Sequence, residues 1–142
     1  MGIEQDLREF AYELRRMMEP GLLKTDAGQV ISAGSCLHMS VMAQIFMRKY
    51  KICESVIRGG SGEDGQGCQA TDGSWHGHYW LECFRQGGIT DPRFVVDLTA
   101  DQFGWEAVRI IPLAEAQGYC PGSQPEVDAE VATLTSELMA QQ

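Results

Sequence analysis

From Cys36 to Tyr50 the chain places apolar residues on more than one side of a would-be helix. Met39, Met42, Ala43, Phe46 and Tyr50 fall on one face, with Leu37, Val41 and Ile45 beside them. A surface helix carries a single apolar stripe, so an arc this broad predicts a central helix buried on most sides. Ser35 stands where an N-cap belongs. Arg48, Lys49 and Lys51 bring positive charge to the opposite end, where the helix macrodipole favours it. A buried helix needs layers around it, and these must come from the rest of the chain.

An amphipathic helix is expected from Ile3 to Met18, where Ile3, Leu7, Phe10, Ala11, Leu14, Met17 and Met18 recur at three- and four-residue spacing before Pro20-Gly21. Leu22 to Ser35 reads as a loop feeding the central helix. Cys53 to Arg58 reads as a short strand. Gly59 to Gly73, with glycines at 59, 60, 62, 65, 67 and 73, reads as a flexible surface loop long enough to carry a function, or as a disordered hairpin connection. Trp75 to Phe84 and Arg93 to Leu98 read as two strands of an antiparallel hairpin, and Ala107 to Leu113 as a further strand. A last, rather polar helix is expected from Ala129 to Met139, after Pro121-Gly122 and Pro125. The order helix, helix, strands, helix predicts an α+β fold with an antiparallel sheet. At 142 residues and 44% hydrophobic content, a single domain spanning 1–142 with one core is expected.

Charge narrows the partners. With 11 Lys+Arg against 20 Asp+Glu the formal net charge is −9, and so acidic a surface repels phosphate backbones and anionic headgroups. Neither nucleic acid nor membrane is expected as a partner. The opening Met1-Gly2-Ile3-Glu4-Gln5-Asp6 is charged almost at once, and no apolar run reaches signal-peptide or transmembrane length, which predicts a cytoplasmic protein. Five cysteines, an odd number without a secreted-type framework, fit a reducing compartment; a Cys68–Cys120 disulfide is the alternative pairing.

Three residues carry the candidate chemistry. Cys36 stands at the first turn of the central helix, where unpaired amides favour a thiolate and can donate to an oxyanion on an attacked carbonyl. Ser35 and the small residues before it leave room for a substrate to approach. His78 lies mid-strand beside Gly77, on a face shared with Trp80 and Glu82, placed to take a proton from a thiol and return it to a leaving amine. Asp97 lies inside an apolar strand, where an unpartnered carboxylate is costly. If the hairpin pairs the two strands, Asp97 can fix the imidazole's tautomer. Asp101 is the rival for that third role, though better suited to supporting its loop, with Gln102 lining the cleft. A metal site built from Cys68, His76, His78 and Cys83 is the chemical rival. It is weakened by the absence of a CxxC pair and by the divergent directions of alternating strand positions, and neither metal nor cofactor is expected.

The stretches Ala33-Gly34-Ser35-Cys36, His78-Tyr79-Trp80-Leu81-Glu82 and Val95-Val96-Asp97-Leu98-Thr99 resemble the transglutaminase-like branch of the papain-like cysteine enzymes. The resemblance covers the middle half of the chain. It implies a papain-like core whose central helix carries the cysteine and packs on an antiparallel sheet. Cys36 is then the nucleophile, His78 the general base and acid, and Asp97 the orienting carboxylate. It leaves the oxyanion-supporting residue open, with Gln29, upstream of Cys36, as its candidate. Gln29, Ser35, Trp80 and Gln102 are the residues expected at the substrate. The implied function is thiol-dependent acyl transfer through a thioester, with hydrolysis of a peptide, isopeptide or other amide bond favoured. The alternatives are an acyltransferase using an amine acceptor, and a catalytically silent scaffold that binds a peptide or protein partner.

Overall fold

The computed structural model describes residues 2–21, 23–24, 30–31, 35–85 and 92–140. The expectations for Gln29, for the Ala33-Gly34 approach to the thiol and for most of the hairpin loop lie outside the described residues. Helix α1 (Ile3–Met18) is followed by the short strands β1 (Leu23–Lys24) and β2 (Val30–Ile31), then by α2 (Cys36–Lys49) and β3 (Glu54–Gly60). After these come β4 (Gly67–Gln69), β5 (Trp75–His76), β6 (His78–Phe84), β7 (Phe94–Asp97), β8 (Arg109–Pro112), β9 (Tyr119–Cys120) and α3 (Gln124–Ala140). The architecture is α+β and its sheets are antiparallel. Four strands order as β3-β6-β7-β8, three as β5-β4-β9, and β1 pairs with β2. Among the described residues no helix is long and apolar enough to cross a membrane.

Strand alternation divides the core in two. One face of the four-stranded sheet offers Ile57, Leu81, Cys83, Phe94, Val96 and Ile110 to the helices, which answer with Leu7, Ala11 and Leu14 from α1 and Met39, Ala43 and Met47 from α2. Leu7 and Met47 are wholly buried, and each such side chain contributes about 1.5–3 kcal/mol of hydrophobic stabilisation. The opposite face offers Trp80 and Val95 to a smaller cluster with Cys68, Ala116 and Tyr119. Because β6 and β7 turn odd and even positions to opposite faces, one pair of strands serves both clusters.

Several expectations need correction. The face that α2 buries runs through Met39, Ser40, Ala43 and Met47, while Ile45 and Tyr50 are exposed. The helix is covered by the sheet on one side and flanked by α1 and α3, so it is less enclosed than its composition predicts. The glycine run is a loop only in part, since Gly59 and Gly60 end β3 and Gly67 begins β4, with turns at 61–66 and 70–73. Glycine is required where these backbones meet: a Cβ on Gly60 would lie 2.3 Å from the Gly67 nitrogen, and one on Gly67, whose φ is +96°, would lie 2.1 Å from the His76 oxygen. The strand expected over Trp75–Phe84 breaks at Gly77 into β5 and β6, which belong to different sheets. Helix α3 starts five residues before the expected position, with Pro125 in its first turn, where a missing N–H costs nothing. The Ser123 hydroxyl accepts from the Glu126 amide at 3.4 Å, so Ser123-Gln124-Pro125-Glu126 has the spacing of a capping box.

A buried arginine ties α1 to the end of β7. Arg15 is 4% exposed. It donates to the Leu98 carbonyl at 2.5 Å, to both Asp101 oxygens at 3.2 and 2.8 Å, and to Glu19 at 3.1 Å. Asp101 therefore supports its loop. A similar knot crosses the sheet, where Glu82 accepts from Arg58 at 3.0 Å and Arg93 at 2.7 Å. Burial raises the Glu82 carboxyl, but the two guanidinium groups outweigh it and the net shift is downward.

Candidate active site

His78 opens β6 and Asp97 closes β7. The Leu81–Val96 pair fixes their register, which sets Asp97 beside Trp80 and leaves His78 diagonally across on the same face. Diagonal neighbours lie within reach of long side chains. The gap is bridged by a bond of 2.8 Å between His78 Nε2 and Asp97 Oδ2. Cys36, first residue of α2, also acts on the His78 ring, whose Nδ1 faces Gln102 Nε2 at 3.4 Å. The three residues singled out by sequence therefore come together at the His78 ring.

Asp97 is 1% exposed and its lone pairs are filled. Oδ2 accepts from His78 and from the Tyr119 hydroxyl at 2.7 Å. Oδ1 accepts from the Thr99 amide at 3.0 Å and the Thr99 hydroxyl at 3.5 Å. Burial alone would raise this carboxyl, but the His78 charge and these donors outweigh it and hold Asp97 below its ordinary value. Burial also disfavours the His78 cation, yet Asp97, and after it Cys36, push the imidazole up to about 9. The site thus favours an ion pair on the imidazole–carboxylate side at neutral pH. An imidazolium held in this way favours a thiolate beside it, and a thiolate is a nucleophile.

Aromatic residues fix the imidazole from several sides. Phe103 meets it edge-on at 4.8 Å, and Trp80 stacks at 6.2 Å. Trp80 was expected at the substrate. It is instead 2% exposed and packed between His78 and Tyr119, whose ring lies 5.3 Å away. Tyr119 was not singled out from the sequence. It comes from a two-residue strand with no periodic signal, and the one pointer to it was the prospect of a partner for a buried Asp97. Burial and the Asp97 charge push its hydroxyl well up, so it stays a donor.

Ser35 occupies the N-cap position of α2, but its side chain makes no capping bond; its carbonyl accepts from the Met39 amide at 2.9 Å. Gln102 approaches His78 Nδ1 at 3.4 Å while donating to the Thr99 carbonyl at 3.0 Å. Two cavities adjoin the trio. One, of about 560 Å3, has walls from Gly59, Gly60, Ser61, Tyr79, Glu126 and Glu130; Gly60 is the register partner of His78. Burial, then the charges of Glu130, Cys36 and Glu126, push the Tyr79 hydroxyl up, which links this cavity to the thiol. The other, of about 430 Å3, is lined by Ala70, Thr71, His76, Gln102 and Phe103 among others.

The rival metal ligands point elsewhere. His76 is exposed, bonds Ser74 at 2.8 Å and stacks on Phe103, while His78 is committed to Asp97 and Cys36. Cys68 is buried, and burial with the Asp97 charge raises its thiol to about 12; Cys83 faces Met47. Among the described residues no three His, Cys, Asp or Glu converge to hold a metal ion. All five cysteines are free thiols. The partner of Cys120 across the strands is Gly67, while Cys68 pairs with Tyr119, so the two sulfurs leave opposite faces of their sheet. No protein family, curated protein or solved structure is found to match the chain, and the reading of the site rests on its own residues.

Proposed function

We propose that this chain is a thiol-dependent acyl-transfer enzyme of the papain-like, transglutaminase-like kind, with Cys36 as nucleophile, His78 as base and acid, and Asp97 as the orienting carboxylate. The observation that carries the proposal is the 2.8 Å bond from His78 to a fully buried Asp97, with Cys36 at the head of α2 acting on the same ring. In the proposed reaction the sulfur of Cys36, as a thiolate beside the charged His78 ring, adds to the acyl carbon of an amide. The oxyanion meets first-turn amides of α2, with the Gln102 amide close to His78 Nδ1. His78 then gives its proton to the departing amine, leaving a thioester on Cys36, which water or a second amine resolves.

The substrate class is a peptide, isopeptide or other amide. Glu126 and Glu130 on one wall of the adjoining cavity suit cationic or neutral groups better than carboxylates. Hydrolysis remains the proposed outcome. The glycine-loop argument for it weakens, because the segment is pinned by the end of β3 and by β4, with turns at 61–66 and 70–73. The free thiols fit a cytosolic setting. The test is to incubate the protein with a library of peptidyl, glutaminyl and isopeptide acyl donors and follow Cys36 by intact mass. A hydroxylamine-labile adduct that vanishes in Cys36→Ser and in His78→Ala supports the proposal. Released acid marks water as acceptor, and a new amide marks an amine. Ordinary thiol reactivity of Cys36, unchanged by His78→Ala, sinks it.

A further inference from the structure

A second thiol pair lies at the other end of α2. Cys53 follows the helix and lines a cavity of about 720 Å3 with Arg48, Lys51, Ile52, Glu54 and Arg85. Behind it Cys83, in β6, is wholly buried. Ser55 is the register partner of Cys83, so Cys53, two residues earlier, leaves the backbone toward the same face, diagonally from Cys83. Both thiols donate to the same sulfur, Met47 Sδ, at 3.6 Å from Cys53 and 3.8 Å from Cys83, which makes them close neighbours. The Cys53 backbone lies outside the strand ladder, so it can close the remaining distance to a disulfide without breaking a strand pair.

The surroundings divide the two roles. Three cations border the Cys53 cavity: Arg48, which reaches Glu54 at 4.0 Å, Lys51, and Arg85, which pairs with Asp6. The neighbouring Cys83 thiol, helped by Arg85, lowers the Cys53 thiol against the opposing effects of burial and Glu54, while Cys53 and burial raise Cys83. One sulfur borders the cavity, and its neighbour is enclosed.

We propose that Cys53 is a peroxide-reactive thiol, oxidised by hydrogen peroxide or an alkyl hydroperoxide and resolved by Cys83 into an intramolecular disulfide. In the first step the Cys53 thiolate attacks a peroxide oxygen, the O–O bond breaks, and sulfenic acid and hydroxide (or alkoxide) form. In the second, Cys83 sulfur attacks the Cys53 sulfur, and the sulfenic oxygen leaves as water with the Cys83 proton. The peroxide takes two electrons and the two thiols supply them. Cytosolic disulfides of this type are transient and redox-sensing. The proposal is independent of the reading of Cys36.

The experiment uses the full chain carrying Cys36→Ser, treated with hydrogen peroxide and followed by intact mass and peptide mapping. The mass should fall by about 2 Da, a Cys53–Cys83 linked peptide should appear, and dithiothreitol should reverse both. Cys53 should react roughly tenfold faster than exposed Cys120, given the thiolate dependence of such oxidation. In Cys83→Ala, checked for folding by circular dichroism, dimedone should trap the sulfenic acid at Cys53. If that variant does not fold, Cys53→Ser, which leaves the buried thiol in place, should abolish both the fast reaction and the linked peptide. Oxidation of Cys53 no faster than Cys120, or oxidation without a Cys53–Cys83 link, overturns the proposal.

Discussion

Replacing Asp97 by Asn removes one charge and almost no volume, which isolates what the carboxylate does for His78. In the parent protein the imidazole is raised from 6.5 to about 9, an interval worth roughly 3 kcal/mol of preference for the charged ring. Asp97 dominates that upward shift, opposed by burial, and burial remains in the variant. The carboxamide also fits the site poorly. Both Asp97 oxygens already face donors, His78 and Tyr119 on one side and Thr99 on the other, so its NH2 must confront one of them. The assay is an NMR pH titration of the His78 ring. The midpoint should fall from near 9 to the ordinary histidine range, about 6.5, or lower. Stability should follow. A raised histidine contributes stability that is complete below 6.5 and is lost as pH rises through about 9. Asp97, lowered from 3.8, contributes stability present above that value and lost as pH falls. Urea unfolding of the parent should therefore lose a few kcal/mol, at most roughly 3, from pH 7 to pH 10, while Asp97→Asn stays nearly flat over that range. A His78 midpoint still near 9 in Asp97→Asn would refute the reasoning.

Two further substitutions probe what holds the carboxylate. Tyr119→Phe deletes a buried donor to a charged acceptor and should cost about 1.5–3 kcal/mol of stability; it should leave the His78 midpoint at or above its parent value, because the carboxylate keeps its charge. Chemical denaturation and the same titration read both effects, and an unchanged stability would mean that Tyr119 merely fills space. Gly67→Ala meets the His76 oxygen and an unfavourable φ together, and should cost about 3–5 kcal/mol; a loss under about 1 kcal/mol would show that β4 can shift aside.

The local signals in the chain served best where one element answers to one periodicity. The Ile3–Met18 helix has the bounds that its apolar spacing predicts, and the β6–β7 hairpin follows from alternation and so brings His78 to Asp97. Arg15 reads in sequence as a solvated helix position, since its buried partner Asp101 is 86 residues away and no local pattern announces such a pairing. Tyr119 and the three-stranded sheet escape for a related reason: strands of two and three residues carry too few positions to show alternation. Trp80, expected at the substrate, lies instead under a second layer that includes Tyr119. The early start of α3 is readable in the spacing of Ser123 and Glu126, with Pro125 inside the first turn of the helix rather than ahead of it.

The close approach of Gly60 to Gly67 has a consequence for how such a protein can diverge. Tyr119 reaches Asp97 because β9 pairs with β4, and β4 lies against the end of β3 with no side chain between them. Residues without functional groups thus govern the placement of one that has them. Over generations the outer surface of this domain can drift widely, whereas Gly60 and Gly67 tolerate almost no exchange. A search for distant kin by the spacing of cysteine, histidine and aspartate alone would overlook the more demanding signature, which is a rhythm of glycines.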